Sequence, residues 1–433
     1  METNIDMMGW KDAKLRDLIC DFKRGIAYSS EDISSPNGIP MMNLASIDKT
    51  GYYREGEMKF YSGRYDEADK IYPDEMLIAC TDLTRDAIII GTPIKVPNES
   101  DFFLFTMDLA KLRPNDCIDP DFLYYALKTN TYRKYIKPWA SGTNVLHLNL
   151  NGVYNYTLKY PVSKNAQKSI ARILLNIDKK IAINKCINHY LEAMAKQLYD
   201  YWFVQFDFPD ENGRPYKSSG GRTVWNDKLK REIPENWTNA TVENIEKNII
   251  TGKTPSTVIE DNFGGPIPFV TIDDIRGSLH VYETARTLTT KGADSQKTKY
   301  LPKGSLCCSC IGTVGVLGFI GDIAQTNQQI NSIVFSKSYN KEYMYYSLQQ
   351  HFRYSSAKTG NTILNMSKDE FAKIMIIYPE SSILQKYHSQ CEPIFSQIDE
   401  NIKELNLLTK QRNELLPLLM NGQVSIKQLN NDL

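Results

Sequence analysis

The two halves of the chain contain the same series of short sequence motifs in the same order. The segment SGTNVLHLN at residues 141–149 returns as TGNTILNMS at residues 359–367. In both copies a strand-like run follows and ends in a Tyr-Pro pair, at 160–161 and at 378–379, and a Gln lies six residues after each Pro. Because a period of about 220 residues is too long for a solenoid, the repeat predicts a duplicated unit of one globular domain followed by one helix.

Length and charge narrow the classes of function. The 433 residues have room for about two to four domains. The 51 Lys and Arg residues balance the 51 Asp and Glu residues, so the net charge is zero. This balance argues against a protein that binds nucleic acid through bulk charge. It leaves room for a local basic surface, or for a partner that carries most of the phosphate contacts.

Targeting signals and cysteine spacing point to the cell interior. The segment METNID at residues 1–6 has neither a basic nor an apolar region, so we predict no signal peptide. No apolar run is long enough to span a bilayer. The eight cysteines are scattered except at 307–310, where the spacing is not that of a zinc site. We expect buried, reduced thiols in a cytoplasmic protein.

Heptad spacing marks a long helix after Pro161. Apolar and Asn residues recur at alternating steps of four and three, the pattern of a helix that packs against another helix. The positions are Ile170, Leu174, Ile177, Ile181, Asn184, Asn188, Leu191, Ala195, Leu198 and Trp202. A helix of about 40 residues is roughly 60 Å long, longer than a typical domain face. We therefore favour a helix-to-helix seam over packing on the helix's own domain.

The second copy carries a comparable seam. Its positions are Ile394, Ile398, Asn401, Leu405, Leu408, Leu415 and Leu419. Arg412 interrupts the apolar spacing, and Pro417 predicts a kink or an early stop. We expect the two helices to pair antiparallel, because the second domain begins near the end of the first helix. A parallel pair would require the linker to run back along the whole helix.

These patterns predict an α+β fold with two tandem strand-rich domains, each followed by a long helix, and with the two helices paired as an antiparallel coiled coil. The segment at 207–221 is rich in turn-forming residues and reads as part of a surface linker. The predicted boundaries are 1–161 for domain one, 162–206 for helix one, 207–233 for the linker, 234–379 for domain two, 380–422 for helix two and 423–433 for a tail.

Motifs of catalytic, cofactor and metal sites are incomplete. Gly252-Lys253-Thr254 resembles the end of a phosphate-binding loop, but the Gly required five positions earlier is Lys247. The five His residues show no metal-ligand spacing with Cys or carboxylates. No Asn-Pro-Pro-Tyr or Asp-Pro-Pro-Tyr methyltransferase motif is present. We predict a chain without catalytic activity, cofactor or metal.

Polar loops on the strand-rich domains are the remaining candidates for a functional site. Asn and Gln can bond adenine through N6 and N7, and Lys and Arg can bond guanine through O6 and N7. Two similar domains suit duplex DNA, whose backbone is itself two-fold symmetric. The candidates in domain one are Lys23, Arg24, Asn43, Lys49, Arg85, Thr143 and Asn144. Those in domain two are Lys253, Thr254, Ser256, Asp274, Arg276, Asn327, Gln328, Asn361 and Thr362.

Each candidate also has a purely structural interpretation. The same residue types cap turns and satisfy buried backbone groups. Lys253 and Arg276 are favoured as phosphate or base contacts, because both are cationic side chains in polar loops. The tips at 143–144 and 361–362 are explained equally well as turns.

Four segments resemble hallmarks of a known family, the specificity subunits of type I restriction-modification systems. They are YWFVQFDFPDENGRPYKSSGG at 201–221, EIPENW at 232–237, TNQQIN at 326–331 and LLPLLMNGQV at 415–424. The resemblance covers nearly the whole length and follows the order of the duplicated plan.

The resemblance implies two target recognition domains, each of which reads one half of a split DNA sequence. It implies two helices that form an antiparallel coiled coil and space the domains. Such a subunit has no chemistry of its own. It recruits two methyltransferase subunits, which bind S-adenosylmethionine and methylate adenine, and restriction subunits with ATP-dependent translocase and nuclease activity. The missing catalytic motifs and the neutral charge agree with this division.

Three other interpretations remain open at this point. The chain could be the specificity component of a related system in which methylation and cleavage are fused in one partner. It could be a coiled-coil scaffold with two protein-binding domains and no DNA role. It could also be an enzyme with an unrecognised site, which would show turnover by the chain alone.

Overall fold

The computed structural model describes residues 9–34, 37–48, 50–54, 56–84, 86–359 and 365–423. The described residues form two compact units, which we call the first unit (residues up to Lys180 and from Leu408 onward) and the second unit (Ile181–Leu407). This division differs from the predicted domains 1–161 and 234–379, because each long helix contributes residues to both units.

In the first unit the strands are β1 (Trp10–Lys14), β2 (Ile19–Arg24), β3 (Ile33–Ser34), β4 (Ile39–Met42), β5 (Lys59–Tyr61), β6 (Met76–Ala79), β7 (Thr81–Asp82), β8 (Pro93–Lys95), β9 (Leu104–Phe105), β10 (Leu109–Pro114), β11 (Ala140–Ser141), β12 (Leu146–Leu148) and β13 (Thr157–Pro161). The helices are α1 (Pro120–Lys128), α2 (Asn130–Ile136) and α3 (Leu150–Asn155), and the long helix α4 (Lys164–Tyr199) begins here.

In the second unit the strands are β14 (Thr223–Asn226), β15 (Arg231–Pro234), β16 (Thr238–Thr241), β17 (Ile249–Thr251), β18 (Phe263–Val270), β19 (His280–Val281), β20 (Thr287–Leu288), β21 (Leu306–Ser309), β22 (Leu317–Ile320), β23 (Gln325–Thr326), β24 (Ile330–Ile333) and β25 (Met375–Tyr378). The helices are α5 (Val242–Ile245), α6 (Ile272–Ile275), α7 (Thr290–Asp294), α8 (Lys341–Thr359), α9 (Lys368–Ala372) and the long helix α10 (Ser381–Met420), whose last part belongs to the first unit.

The main sheets of the first unit are antiparallel with one parallel pair. One sheet has the order β2-β10-β6-β8, and another has the order β3-β5-β4-β9, in which β4 and β9 are parallel. A small sheet, β11-β12-β7, and the pair β1-β13 complete the unit. All four residues of β6 are buried, as expected for an uninterrupted apolar run inside a sheet.

The second unit repeats this topology. Its main sheet has the order β17-β24-β21-β22-β19, whose first four strands correspond to β2-β10-β6-β8. Its second sheet has the order β20-β18-β23, and β18 and β23 are parallel neighbours like β4 and β9. The pair β16-β25 corresponds to β1-β13. The sequence repeat is therefore a duplication of topology, and the α+β class with two tandem strand-rich parts is as predicted.

The two long helices pair antiparallel, as predicted. In the second unit Asn184 Nδ2 donates to Glu404 Oε2 at 2.7 Å, and Asn401 Nδ2 donates to Asn188 Oδ1 at 2.8 Å. Residue numbers on one helix rise as those on the other fall, which is the pattern of an antiparallel pair.

The seam positions of both helices are covered. The buried positions are Ile170, Leu174, Ile177, Ile181, Asn184, Asn188, Ala195, Trp202, Ile398, Asn401, Leu408 and Leu419. The half-buried positions are Leu191, Leu198, Ile394, Leu405 and Leu415.

Carboxylates on the helices hold the strand-rich part of each unit. In the first unit Asp178 accepts from Tyr125 Oη at 2.6 Å and from Arg412 Nη1 at 3.0 Å. Arg412 also lies 4.4 Å from the Tyr52 ring centroid and is only 9% exposed. The residue that interrupts the apolar spacing is thus a buried ion-pair partner. α10 also continues through Pro417 to Met420, so Pro417 does not end the helix.

Asp399 has the corresponding role in the second unit. It accepts from Lys403 Nζ at 2.9 Å, from Lys303 Nζ at 3.2 Å and from the Tyr282 hydroxyl. Tyr282 and the hydrogen bonds of the two Lys side chains hold the pKa of Asp399 below its usual value, although burial opposes this shift. A charged carboxylate therefore joins α10 to the loops that carry Tyr282 and Lys303.

The segment predicted as a linker, 207–233, is folded against the second unit. Phe208 is buried and stacks on Tyr216 at 4.7 Å and on Trp237 at 4.8 Å between ring centroids. Asp207 accepts from the Ser218 amide and hydroxyl, both at 2.7 Å. β14 and β15 then form a hairpin. The many turn formers serve tight, hydrogen-bonded turns here.

Candidate nucleic-acid interface

Strand register gathers three loops at one edge of the main sheet of the second unit. Thr251 pairs with Asn331, Ser309 with Ile330 and Cys308 with Leu317. These pairs place the ends of β17 and β21 beside the starts of β24 and β22. We call the loops 252–256, 310–316 and 326–329 the second edge.

At the second edge the predicted residues Thr254 and Gln328 contact each other, beside the predicted Lys253. The Lys253 amide donates to Thr326 O at 2.9 Å, and Gln296 Nε2 donates to Lys253 O at 2.6 Å. Thr254 Oγ1 donates to Gln328 Oε1 at 2.7 Å. The backbone of Lys253 is held on both sides, while its side chain is exposed and forms no ion pair with any residue that the structure describes.

Arg276 joins the same edge from another loop. Its Nη2 donates to Thr313 Oγ1 at 3.3 Å, and its Nη1 lies 3.5 Å from Asp273 Oδ1. The Arg276 side chain is 56% exposed and that of Asp273 is 90% exposed. An ion pair with so much solvent is weak, so the guanidinium is available to an anionic or hydrogen-bonding ligand.

Three other predicted residues of the second unit support the local fold. Asp274 accepts from the Thr271 amide at 2.8 Å and from the Ala285 amide at 2.9 Å, which is a cap on α6. Asn327 exchanges hydrogen bonds with Gln329 within its own turn, at 2.9 and 3.1 Å. The exposed Ser256 lies in the loop with Lys253, and its carbonyl accepts from Asn262 Nδ2 at 2.9 Å. The hydrogen bonds of Asp274 and Asn327 are thus those of residues that stabilise a helix cap and a turn.

The predicted residues of the first unit are less concentrated. Lys23 forms an ion pair with Asp69 at 2.8 Å. Arg24 Nη2 lies 3.5 Å from Leu148 O, beside the hairpin of β11 and β12. Asn43 is buried, caps a short 3-10 helix by accepting from the Ala45 amide, and donates to Glu57 O.

The tip of one hairpin in this unit also leaves its predicted residues open to solvent. Thr143 and Asn144 are exposed between β11 and β12. Four other predicted residues lie outside the described residues and are Lys49, Arg85, Asn361 and Thr362.

Matching backbone hydrogen bonds define an equivalent edge in the first unit. Gly25 N donates to Leu109 O at 3.1 Å and Ile26 N to Phe105 O at 2.8 Å. In the second unit Gly252 N donates to Ile330 O at 3.0 Å and Lys253 N to Thr326 O at 2.9 Å. The two sets align Gly25 with Gly252 and residues 105–109 with 326–330.

A further matched pair completes the alignment. Cys80 N donates to Asp108 O and Cys310 N donates to Gln329 O, both at 2.7 Å. We call the loops 25–29, 80–84 and 106–108 the first edge. Sequence analysis missed the loop after β21, with Thr313, and the loop 106–108, because only the strand register reveals that they adjoin the predicted loops. The predicted Arg85 follows the loop 80–84 directly but lies outside the described residues.

Both edges depend on a close approach that only glycine permits. A Cβ on Gly25 would lie 2.0 Å from Phe105 O, and a Cβ on Gly252 would lie 2.1 Å from Asn327 O. Carbon and oxygen atoms cannot approach so closely, so any side chain would push the two loops apart. The backbone of each edge is therefore fixed, while its side chains project from fixed points.

Across the described ranges, no three His, Cys, Asp or Glu side chains cluster as metal ligands would. All eight cysteines are described and none forms a disulfide, and burial raises the pKa of Cys307 to about 12. Within the same ranges, no helix combines the length and apolar character that a membrane span requires.

Comparison with known proteins gives one consistent result. Residues 7–193 and 234–416 match the family model of the type I restriction modification DNA specificity domain. The chain is 28% identical over 388 residues to the type I restriction enzyme HindI specificity subunit of Haemophilus influenzae, covering 77% of this chain and 84% of that protein. It is 26% identical over 324 residues to the MjaIX specificity subunit of Methanocaldococcus jannaschii, covering 73% and 72%.

A solved structure supports the fold independently of close sequence similarity. The crystal structure of the type I restriction-modification S subunit from M. genitalium superposes with a TM-score of 0.59 at 17% identity, covering 96% of both chains. The two segments that match the family model together span most of the chain and contain most of both long helices and of both strand-rich parts. The chain therefore belongs to the type I restriction-modification DNA specificity family.

Proposed function

We propose that the chain reads a bipartite DNA sequence as the specificity subunit of a type I restriction-modification complex. In this proposal the target recognition domains are residues 1–161 and 234–379, and each reads one half of the target. The observation that carries the proposal is the pair of equivalent edges, one in each unit, pinned by the same backbone hydrogen bonds. Two copies of one surface suit the two halves of a split duplex target.

The residues that we propose as DNA contacts differ in how exposed they are and in how many protein contacts they already make. In the second unit Lys253, Arg276 and Gln328 lie at the edge with exposed polar groups, so they are the favoured contacts to phosphate and base edges. Thr254 and Ser256 belong to the same loop as Lys253. In the first unit Thr143 and Asn144 are exposed at a hairpin tip, while Lys23 and Arg24 lie in β2 and are partly committed to protein contacts.

We further propose that the chain is a non-catalytic subunit and that its partners supply the chemistry. Two methyltransferase subunits would transfer methyl groups from S-adenosylmethionine to adenine, and restriction subunits would translocate and cleave DNA with ATP. The complex would act in the cytoplasm, where its DNA target is accessible. In this arrangement the neutral net charge of the chain is tolerable, because partners share the phosphate contacts.

An exposed apolar stripe on α4 supports a docking site for the methyltransferase subunits. Ile183, Ile187, Tyr190 and Met194 recur at steps of four, three and four, and are 57%, 41%, 67% and 50% exposed. The stripe is offset by one residue from the buried seam, which is about 100° around the helix, and its side chains are left exposed beside the seam. Such spacing suits a further helix, and large exposed apolar surfaces mark interaction sites. Ile187→Asp should weaken capture of the methyltransferase subunit, and Lys185→Asp serves as a charge control on the same helix.

The test of the function is a map of methylated adenine in cells that express the complex with and without this chain. We expect one split motif that appears only with the chain. The purified chain alone should transfer no methyl group from labelled S-adenosylmethionine. A motif that persists without the chain would contradict the proposal. Purification with a single fused methyltransferase-nuclease, in place of separate subunits, would identify the related fused system instead.

A further inference from the structure

At four equivalent positions of the two edges the side chains differ in chemical character. The backbone alignment matches Ile26, Ala27 and Met107 of the first edge with Lys253, Thr254 and Gln328 of the second. Three residues beyond the matched Cys80 and Cys310, Leu83 likewise corresponds to Thr313. Every one of these positions is apolar in the first unit and polar or charged in the second.

Two of the apolar residues are strongly exposed. Leu83 is 68% exposed and Met107 is 46% exposed. The loops that carry them adjoin, because Cys80 N donates to Asp108 O at 2.7 Å and Thr81 Oγ1 donates to Asp108 Oδ1 at 2.8 Å. Exposed apolar side chains on adjoining loops form a surface that a ligand can cover.

The bases of duplex DNA offer few apolar groups to such side chains. In the major groove the apolar group of a base edge is the C5-methyl of thymine, and the remaining groups are hydrogen-bond donors and acceptors. Leu83 and Met107 can neither donate nor accept a conventional hydrogen bond. They can therefore distinguish thymine by contact with its methyl group, whereas Gln328 and Thr313 can read donors and acceptors.

We propose that Leu83 and Met107 determine the specificity of the first unit by contacting the methyl group of a thymine in its half-site. The corresponding residues of the second unit, Thr313 and Gln328, read their half-site through hydrogen bonds. This proposal rests on the proposed function, because it assumes that the two edges face DNA. It adds the chemical class of the group that each edge reads.

The experiment uses the assembled complex with its methyltransferase subunits and synthetic duplexes that carry its mapped motif. Deoxyuridine replaces one thymine at a time, which removes the methyl group and keeps the base pairing. Loss of one buried methyl should weaken binding about fourfold. We expect this loss at one or more thymines of the half-site read by the first unit.

Variants then assign the effect to the side chains. In Leu83→Asn and Met107→Gln, separately and combined, the ratio of thymine to deoxyuridine affinity should fall to about one. Met107→Leu keeps an apolar contact and should retain the ratio. Deoxyuridine in the other half-site is the matched control, because the first-unit variants should not alter any response there. The exposure of Leu83 and Met107 makes these substitutions compatible with folding.

Three results would overturn the inference and leave the function intact. They are a first half-site without thymine on either strand, no response to deoxyuridine at any thymine of that half-site, and a response that persists undiminished in the combined variant. Failure of the wild-type complex to bind any split motif would instead contradict the proposed function. The two failures are thus distinguishable in the same binding assay.

Discussion

At the scale of residues, the two edges depend more on glycine than on any charged side chain. Gly25 and Gly252 bring a strand end within backbone contact of the loop beside it, and a Cβ at either position would overlap a carbonyl oxygen. These two residues fix the points from which Lys253, Gln328 and Met107 project.

We expect Gly252→Ala to damage recognition of the half-site of the second unit and to spare the other half. The added methyl must displace Asn327 or Thr326, and with them the loop that carries Gln328. Methylation of duplexes with either half-site mutated measures the effect. Gly25→Ala should produce the converse pattern, and Gly9→Ala, which has open space around its Cα, is the neutral control. Equal loss in both halves for Gly252→Ala would argue against separate reading.

Lys253→Ala and Arg276→Ala should each weaken DNA binding. A residue that reads a base should cost about 1–3 kcal/mol of binding free energy. A residue that contacts only phosphate should weaken all sequences alike and reduce the slope of affinity against salt by about one. Binding at several salt concentrations separates these outcomes. Lys228→Ala, an exposed Lys in the β14-β15 turn, is the control, and wild-type binding by both variants would remove these residues from the interface.

At the scale of elements, the two long helices contain a buried polar pair that can select their register, which a purely apolar seam cannot do. Asn188 and Asn401 are buried and bonded to each other at 2.8 Å. Buried Asn at seam positions lowers stability and selects one register. A pair of this kind fixes which residues of α4 and α10 face each other.

Replacement of one Asn of this pair should be worse than replacement of both. Asn188→Leu removes the acceptor of the buried Asn401 Nδ2, while Asn401 Oδ1 keeps its hydrogen bond from Gln397 Nε2 at 3.0 Å. A buried donor without a partner costs about 1–3 kcal/mol. Asn188→Leu with Asn401→Leu removes both polar groups and should recover most of that loss. Urea unfolding of the single and double variants checks this expectation. Additive destabilisation in the double variant would show that the two amides do not act as a pair.

The junction between β19 and α10 predicts a pH dependence. His280 lies 3.5 Å from Asp399 Oδ1, and its ring nitrogens are buried without a hydrogen bond among the described residues. Burial lowers the pKa of His280 from its usual 6.5 to about 4, because desolvation outweighs the attraction of Asp399 and three nearby Lys residues oppose the charge.

Unfolding should therefore become easier as the pH falls from 6.5 to 4. In this window the unfolded chain binds a proton at His280 that the folded chain does not, and stability rises with pH wherever the unfolded state binds more protons. The loss should reach roughly 2–3 kcal/mol. His280→Phe, which keeps the stack on Phe319, should flatten this part of the curve, whereas His189→Gln should not. An unchanged curve for His280→Phe would assign the dependence to other groups.

The pattern of helices was easier to predict than the pattern of loops. The seam from Ile170 to Asn188 follows from a periodicity that one helix displays by itself. Asp274 and Asn43, which the sequence predicts as DNA contacts, cap turns in the structure. Asp and Asn side chains serve both purposes, so the residue type alone does not distinguish them, and the DNA contact of each stays a prediction. Leu83 and Met107 were missed because exposed apolar residues carry no local signal until the register shows what lies beside them.

At the scale of the whole molecule, the two helices are expected to set the length of the unread spacer in the DNA target. Inserting residues into the helices would test this expectation. Ala195 is unsuitable as an insertion point, because it is fully buried in the core of the second unit. Insertion after Lys180 in α4 and after Leu407 in α10 avoids that core, because each helix passes from one unit to the other at these residues. Seven residues in each helix preserve the heptad spacing.

This paired insertion should lengthen the spacer and leave both half-sites unchanged. Seven residues add about 10 Å to each helix, which corresponds to about three base pairs. The methylated motif of the variant is the measurement. Ile181→Pro should instead abolish specific methylation, because a kink alters distance and rotation together. An active complex with an unchanged spacer would mean that the partner subunits set the distance.

The glycine contacts behind each edge have a consequence for how such a protein diversifies. Under the proposed reading of DNA by the two edges, a substitution at position 83, 107, 313 or 328 should change the chemistry offered to DNA and leave the backbone hydrogen bonds of the edge in place. A new preference for a base therefore requires one codon change rather than a rebuilt loop. Because each half of the chain carries its own edge, the half-site that it reads can change while the other half-site stays the same. A population of such proteins could therefore combine old and new half-sites into new split targets.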